Sequence, residues 1–298
     1  MSNLILIGSI LVPAGLVLGG LLSWRLWRSL DKRRSPLTVG LMNLPGEGLR
    51  KRIADHDDKF HEAAAMTMVA GPLVLCGWLL ARLNRSGFDW STVALGTGDL
   101  LFIAILLALA GWGLWRLIHH ASRRRQATDG LNAELSVAQC LTPLIADGAM
   151  VFHDFPSDRS NIDHIVVARG AVFAIETKSR RKPATKGKAS ALVRYDSQQL
   201  FFPTHTETRP IEQAAYQANW LEGFLRNAGV DGVRVIPVLA LPGWYVERTN
   251  REVRASVLVN NCTNSRFMMS ENFGPPMPES MRKHIAHVLS QRYPSPEL

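Results

Sequence analysis

At 298 residues the chain has room for one large domain or two smaller ones, and it carries 34 Lys+Arg against 25 Asp+Glu, a net charge of +9, with a pI near 9.9. That balance favours polyanionic partners, either nucleic acid or anionic lipid headgroups, while a mean hydropathy of +0.02 in so charged a chain excludes an evenly mixed soluble composition and requires apolar residues to be concentrated somewhere. Three widely spaced cysteines, Cys76, Cys140 and Cys262, with no CxxC, argue against a disulfide framework or a zinc knuckle and for a reducing compartment.

The apolar residues are concentrated in the first 118. Residues 1–24 contain no charge, and a run of that length crosses a hydrocarbon core of roughly 30 Å as a helix. It is not a signal peptide, because the basic cluster Arg25, Arg28, Lys32, Arg33, Arg34 follows the run and does not precede it. Charge-free runs at 63–81, with a tolerable Gly71-Pro72 kink, and at 100–115, extendable to 118, make the second and third expected spans, the first being placed at about 3–24. Residues 25–62 hold nine Lys and Arg, residues 82–99 hold two and residues 116–125 hold four. The positive-inside rule then puts the amino terminus outside and everything after Arg116 in the cytoplasm of an inner-membrane protein. Trp24, Trp27, Trp78, Trp90, Trp112 and Trp115 fall near the proposed ends, as interfacial anchors do. Arg123, Arg124 and Arg125 read as a juxtamembrane flank.

Between the first two spans, residues 37–48 hold Gly40, Pro45, Gly46 and Gly48 and read as irregular, and 49–62 as a helix. His56 and His61 among Asp55, Asp57, Asp58 and Glu62 have no metal-ligand spacing and read as a solvated helix face. From residue 128 the pattern becomes that of a soluble α/β domain, so the expected division is 1–127 and 128–298. Thr128 or Asp129 is placed to cap a helix ending at Asp147-Gly148. Strands are expected at 149–155, 162–168 and 171–178, then a hairpin of 192–195 with 200–202, a helix from Pro210 to about 227, strands 233–241 and 255–259, and a last helix over 279–292. That order is mixed α/β, a central sheet flanked by helices.

Residues 161–178 read as two short apolar strands joined at Ala168-Arg169-Gly170-Ala171, with three charges among otherwise buried positions. Alternation points Glu176 and Lys178 the same way, and Asp163 lies on the partner strand within reach. Burying such groups is costly unless they pair or hold a cation, and two carboxylates suit a hard ion such as Mg²⁺. His164 alternates to the opposite face and reads as a structural neighbour.

Asp163, twelve residues, then Glu176-Thr-Lys178 resembles the active-site signature of the restriction-endonuclease-like PD-(D/E)xK nucleases. The surrounding words, 162–167 and 172–178, resemble the nuclease-related domain branch of that superfamily, with the likeness strongest over 131–259. Ile162 stands where the superfamily name has proline. The resemblance implies a restriction-endonuclease-like mixed sheet and a Mg²⁺- or Mn²⁺-dependent nuclease of DNA or RNA. In it Asp163 and Glu176 hold the metal and Lys178 orients water and neutralises phosphoryl oxygens. It further implies that Glu134, on the helix ahead of the sheet, completes the metal shell, and that Gln213, with Tyr216 and Gln217 on the same helix, lines the cleft. The basic loop after the site, with Arg180, Arg181, Lys182, Lys186 and Lys188, fits sequence-independent contact with a nucleic-acid backbone. The bilayer is the other expected partner. A non-catalytic module that binds nucleic acid or a partner at the membrane is the alternative function.

Overall fold

A computed structural model describes residues 19–20, 23–24, 26–27, 30, 42–86, 96–184, 187, 189–250, 252 and 255–293. The expected first span at 3–24, Trp90 and the two lysines Lys186 and Lys188 fall wholly or mostly outside them. Two compact units are present, one of residues 1–38 and 54–124, the other of residues 39–53 and 125–298.

In the first unit two long helices dominate, α1 (Glu47–Ser86) and α2 (Thr97–Ala146), both of which continue into the second unit's residues. Among the described residues these two helices are long and apolar enough to cross a membrane, and only 6% of either apolar stretch is buried. Their Leu, Ile and Met side chains, such as Met68, Leu75, Leu101 and Leu107, are exposed, which a water-soluble core helix would not tolerate. The pair is held by close approach and by polar contacts, among them Arg116 with Glu62 and Arg124 with Asp57. Ala63 is fully buried, and Gly113 faces Thr67 so closely that any Cβ there would overlap the threonine hydroxyl. Small residues of this kind let helix backbones meet in an apolar medium. At the other end Asp99 accepts hydrogen bonds from Trp78 Nε1 (2.7 Å), Arg82 (2.5 Å) and the Gly96 N–H (2.8 Å).

No new helix begins at Thr128 or Asp129, contrary to the capping expectation, because α2 runs unbroken from Thr97 to Ala146. The physical reason lies at Gly130, whose missing side chain admits Leu49: a Cβ there would stand 3.1 Å from the leucine Cδ1. The packing outweighs the ~1 kcal/mol propensity cost of glycine, and the Asp129 carboxylate binds Arg181 instead of capping.

The second unit is built on a mixed sheet ordered β1 (Met150–Phe155), β2 (Ile162–Val167), β3 (Val172–Thr177), β7 (Val235–Ala240), β9 (Leu258–Asn260). β1, β2 and β3 are antiparallel, while β7 and β9 run parallel to β3. Helices α3 (Arg209–Asn227) and α4 (Glu279–Ser290) cover one face, packing Ala218, Leu221, Leu225, Ile285 and Leu289 on Ile165, Val172 and Ala174. The end of α2 covers the other, setting Val137, Leu141 and Leu144 against Val166, Phe173 and Ile175. Neighbouring β3 residues therefore enter opposite cores, as pleating requires, and β3 is buried throughout.

A second sheet, ordered β6 (Thr206–Glu207), β5 (Leu200–Phe201), β4 (Leu192–Tyr195), β8 (Tyr245–Arg248), was not anticipated beyond its β4–β5 hairpin. Two-residue strands give no period to read, and β8 is half exposed. Phe202 is core, against Trp244 and a stacked His205, while Phe201 points outward at 40% exposure.

The turn before β3 brings Gly170 against Gly274, and a Cβ at Gly170 would lie 2.6 Å from the Gly274 carbonyl oxygen. Backbone cannot yield as a side-chain tip can. Gly170→Ala is expected to cost ~1–3 kcal/mol as an overpacked contact, lowering the thermal midpoint by several degrees, whereas Gly223→Ala, which meets nothing within 4 Å, should leave it in place or raise it.

Candidate active site

The hairpin register that pairs His164 with Ile175 sets Asp163 opposite Glu176, at the carboxyl end of β3, where the parallel pairing with β7 also ends at Ala240. Both carboxylates stand on the α3 face of the sheet. They open into a cavity of about 900 Å³ lined also by Glu134, Asp154, Lys178 and Gln213.

Each group is fixed by its neighbours. Asp163 Oδ2 accepts the Thr177 backbone N–H at 2.6 Å, which ties the two strands together at the catalytic level. Glu176 is 2% exposed; its Oε1 is ion-paired with Lys178 Nζ and its Oε2 accepts Gln217 Nε2 at 2.6 Å. The same amide reaches the Asn161 carbonyl at 3.2 Å, and its Oε1 has no partner. Lys178 itself is anchored by its N–H to the Ala240 carbonyl, 3.0 Å away.

Too many carboxylates meet here for their surroundings. Burial, and after it the charges of Glu176 and Glu134, push the Asp163 carboxyl well above its ordinary range, despite the Thr177 N–H. Burial, then the charges of Asp154 and Glu176, raise Glu134 to about 7, with Lys178 and Arg52 opposing. Burial is the leading cause of both shifts, and perturbed groups in a cleft mark functional candidates.

The donors fit a hard divalent cation in kind. They are carboxylate oxygens that repel one another in a cavity. Among the described residues no three His, Cys, Asp or Glu side chains are arranged to hold one ion, so the fit is to a cation held by one or two carboxylates with water completing its shell, as Mg²⁺ commonly is.

The structure thus brings Asp163, Glu176, Lys178 and Glu134 together. Gln213 lines the cavity and an adjoining one of about 570 Å³, but the glutamine that touches Glu176 is Gln217, one helical turn later. Its signal was in the sequence: Ile211, Ala214, Ala218, Leu221 and Leu225 form the buried stripe of α3, and an amide inside such a stripe needs a polar partner. His164 is fully buried away from the cavity, its Nδ1 2.8 Å from that of His153. Burial, then His153, depress it to about 3, so it is a neutral structural residue.

The basic loop is more tied down than its composition suggested. Arg180 is bidentate with Glu207 at 2.8–3.2 Å, and Arg181 binds Asp129 at 2.5–2.7 Å in an exposed pair. Lys182 lies 5.9 Å from the Trp244 ring centroid. Exposed pairs contribute only ~0–1 kcal/mol, so a phosphate can displace Asp129 from Arg181 far more readily than Glu207 from Arg180.

Sequence reasoning missed Asp154. It sits at the end of β1 in a left-handed conformation, φ +45°, and is buried. Its Oδ2 accepts the Gly48 N–H at 2.6 Å, its Oδ1 accepts Asn161 Nδ2 at 2.8 Å, and its carbonyl accepts Asn43 Nδ2 at 2.8 Å. A non-glycine residue with positive φ persists only where its surroundings over-determine it.

Residues 129–242 match the family model of the nuclease-related domain. No curated protein and no solved structure gives a significant match to the chain.

Proposed function

We propose, from the premise that this chain carries a nuclease-related domain over residues 129–242, that it is a membrane-anchored, Mg²⁺-dependent nuclease hydrolysing phosphodiester bonds of DNA or RNA. The observation that supports it best is the meeting of Asp163, Glu176 and Glu134 with a single lysine, Lys178, in one open cavity. A purely structural ion pair would need one carboxylate for that lysine.

In this reading Asp163 and Glu176 would hold the cation with water completing its shell, offsetting charge on the scissile phosphate and lowering the pKa of a coordinated water, while Glu134, which belongs to no three-ligand group among the described residues, borders the site. Lys178 stabilises negative charge as it develops on the phosphoryl oxygens. Gln217 holds Glu176 in one rotamer so that its carboxylate faces the cavity. Arg181 and Lys182 contact substrate backbone without reading sequence. Titrating Mg²⁺ or Mn²⁺ into the full-length protein by calorimetry should give a binding isotherm that Glu176→Ala abolishes; equal binding by both proteins would remove these residues from the metal site.

The exposed apolar faces of α1 and α2 support the anchor, and the nine-to-two excess of basic residues on either side of α1's apolar run supports an inner-membrane protein whose nuclease-like unit is cytoplasmic, with three spans and an external amino terminus. In a cysteine-free background, Ser91→Cys is expected to react with an impermeant thiol reagent in intact cells, and Asn227→Cys, at an exposed position, only after lysis. The reverse pattern would place the nuclease-like unit outside.

A further inference from the structure

The site extends beyond the segment that matches the nuclease-related domain. Residues 43–52 lie more than 70 positions ahead of that match, yet they belong to the same compact unit and form part of the cavity wall. They are held there by specific contacts, since Asn43 and Gly48 both donate to Asp154. Gly46 has φ +71°, and a Cβ on it would lie 2.4 Å from Leu131 Cδ1 and 3.3 Å from a Glu134 carboxylate oxygen. The segment therefore passes directly over the helix that carries Glu134. Gly46 is needed both for the turn and for that approach.

The result is to bring Arg52 to the cavity. Its charge acts on Glu134, its side chain lines the same wall and is exposed, and among the described residues no hydrogen bond or ion pair holds its guanidinium. That distinguishes it from Arg180 and Arg181, which are engaged with Glu207 and Asp129. A guanidinium beside a polyanion site, unclaimed by a protein carboxylate, is a phosphate ligand by its chemistry.

We propose that Arg52, supplied by the segment that leads into α1, is a substrate-phosphate-binding residue of the nuclease site, so that the catalytic unit is completed from outside its own domain. This rests on the nuclease reading above. The segment 43–52 does more than link: a domain cut at residue 128 lacks a wall of its cavity, the Asn43 and Gly48 partners of Asp154 and one of its anion ligands.

The test uses full-length protein in detergent and a fluorescent single-stranded oligonucleotide, with binding measured in EDTA over a salt series and cleavage measured in Mg²⁺. Arg52→Gln is expected to raise KM about tenfold with kcat little changed, and to lower the slope of log K against log salt by about 0.7, one single-strand phosphate contact. Arg52→Lys should recover most of the slope and part of the affinity. Arg50→Gln removes the same charge from an exposed side chain that does not line the cavity, and should change neither. The inference is overturned if Arg52→Gln binds and cleaves as wild type does, or if Arg50→Gln produces the same loss, since the effect would then be net charge alone. A wild-type protein that binds but cleaves nothing sinks the nuclease reading and leaves the slope measurement in EDTA to judge Arg52 by itself.

Discussion

Glu176→Ala and Asp163→Ala are each expected to reduce cleavage by roughly 10³-fold or more and to weaken Mg²⁺ binding with it, whereas Lys178→Ala should lose ~10²–10³-fold in rate while leaving metal binding nearly intact. The difference follows from what each group can do. A protonated lysine cannot ligate a cation, and the ion pair of the Lys178 ammonium in the site is with Glu176. Removing it frees a carboxylate oxygen of Glu176 for metal while taking away positive charge where the phosphate becomes most negative. Removing Glu176 takes away a ligand and strands two partners, Lys178 and the buried amide of Gln217. Metal affinity and single-turnover rate, measured on the same three variants, separate the roles. If Lys178→Ala loses metal as completely as Glu176→Ala does, the lysine acts by holding Glu176 in place and has no transition-state role.

Without metal, Glu134 is expected to contribute less to stability as the pH rises from about 4.5 to about 7, while His164, depressed to about 3, contributes in the opposite direction below pH 6.5. Glu134 has its folded pKa raised from the ordinary 4.5 to about 7 by burial and by Asp154 and Glu176. Between those values the folded protein therefore holds a proton that the unfolded chain has released. Its stabilising contribution is complete below the unfolded pKa and is lost as the pH climbs through the folded one. At ~1.4 kcal/mol per pKa unit the swing is about 3 kcal/mol, and Asp163, raised in the same direction, adds to it. Thermal midpoints of wild type and Glu134→Gln in EDTA at pH 5 and pH 8 isolate this swing as their difference, since His164 titrates alike in both. Glu134→Gln should flatten it and be more stable than wild type at pH 8, and Mg²⁺ should restore wild type there by binding the ionised carboxylates. A Glu134→Gln variant whose midpoint changes from pH 5 to pH 8 as the wild-type midpoint does contradicts this electrostatic picture.

What the sequence made legible is what local periodicity can carry. The strands β1, β2, β3 and β7 and the helices α3 and α4 form within a residue or two of their apolar patterns. The pairing of Asp163 with Glu176 needed only pleat alternation and the Ala168–Ala171 turn, because the hairpin is closed by neighbours in sequence. The misses share one cause, which is contact across long sequence separation. Asp154 owes its buried, left-handed state to Gly48 and Asn43, more than 100 residues earlier. Leu49 against Gly130 explains why α2 does not stop where Thr128 and Asp129 offer a cap. Nothing local distinguishes Arg52 from Arg50; only the fold places one of them at the cavity. Gln217 lies between these cases, visible as a misfit in an apolar stripe but assigned to Glu176 only by geometry.

Cleavage is tested most directly with purified full-length protein, wild type and Glu176→Ala, incubated with single- and double-stranded DNA and RNA in Mg²⁺, in Mn²⁺ and in EDTA. The full chain is required because residues 43–52 contribute to the site. Wild type is expected to cleave at least one substrate in divalent metal, EDTA to stop it, and Glu176→Ala to bind the same substrate without cutting it. If wild type and Glu176→Ala bind equally and no combination of substrate and metal gives cleavage above the variant, the chain is a nucleic-acid-binding module on a nuclease-like frame and the enzyme reading is wrong.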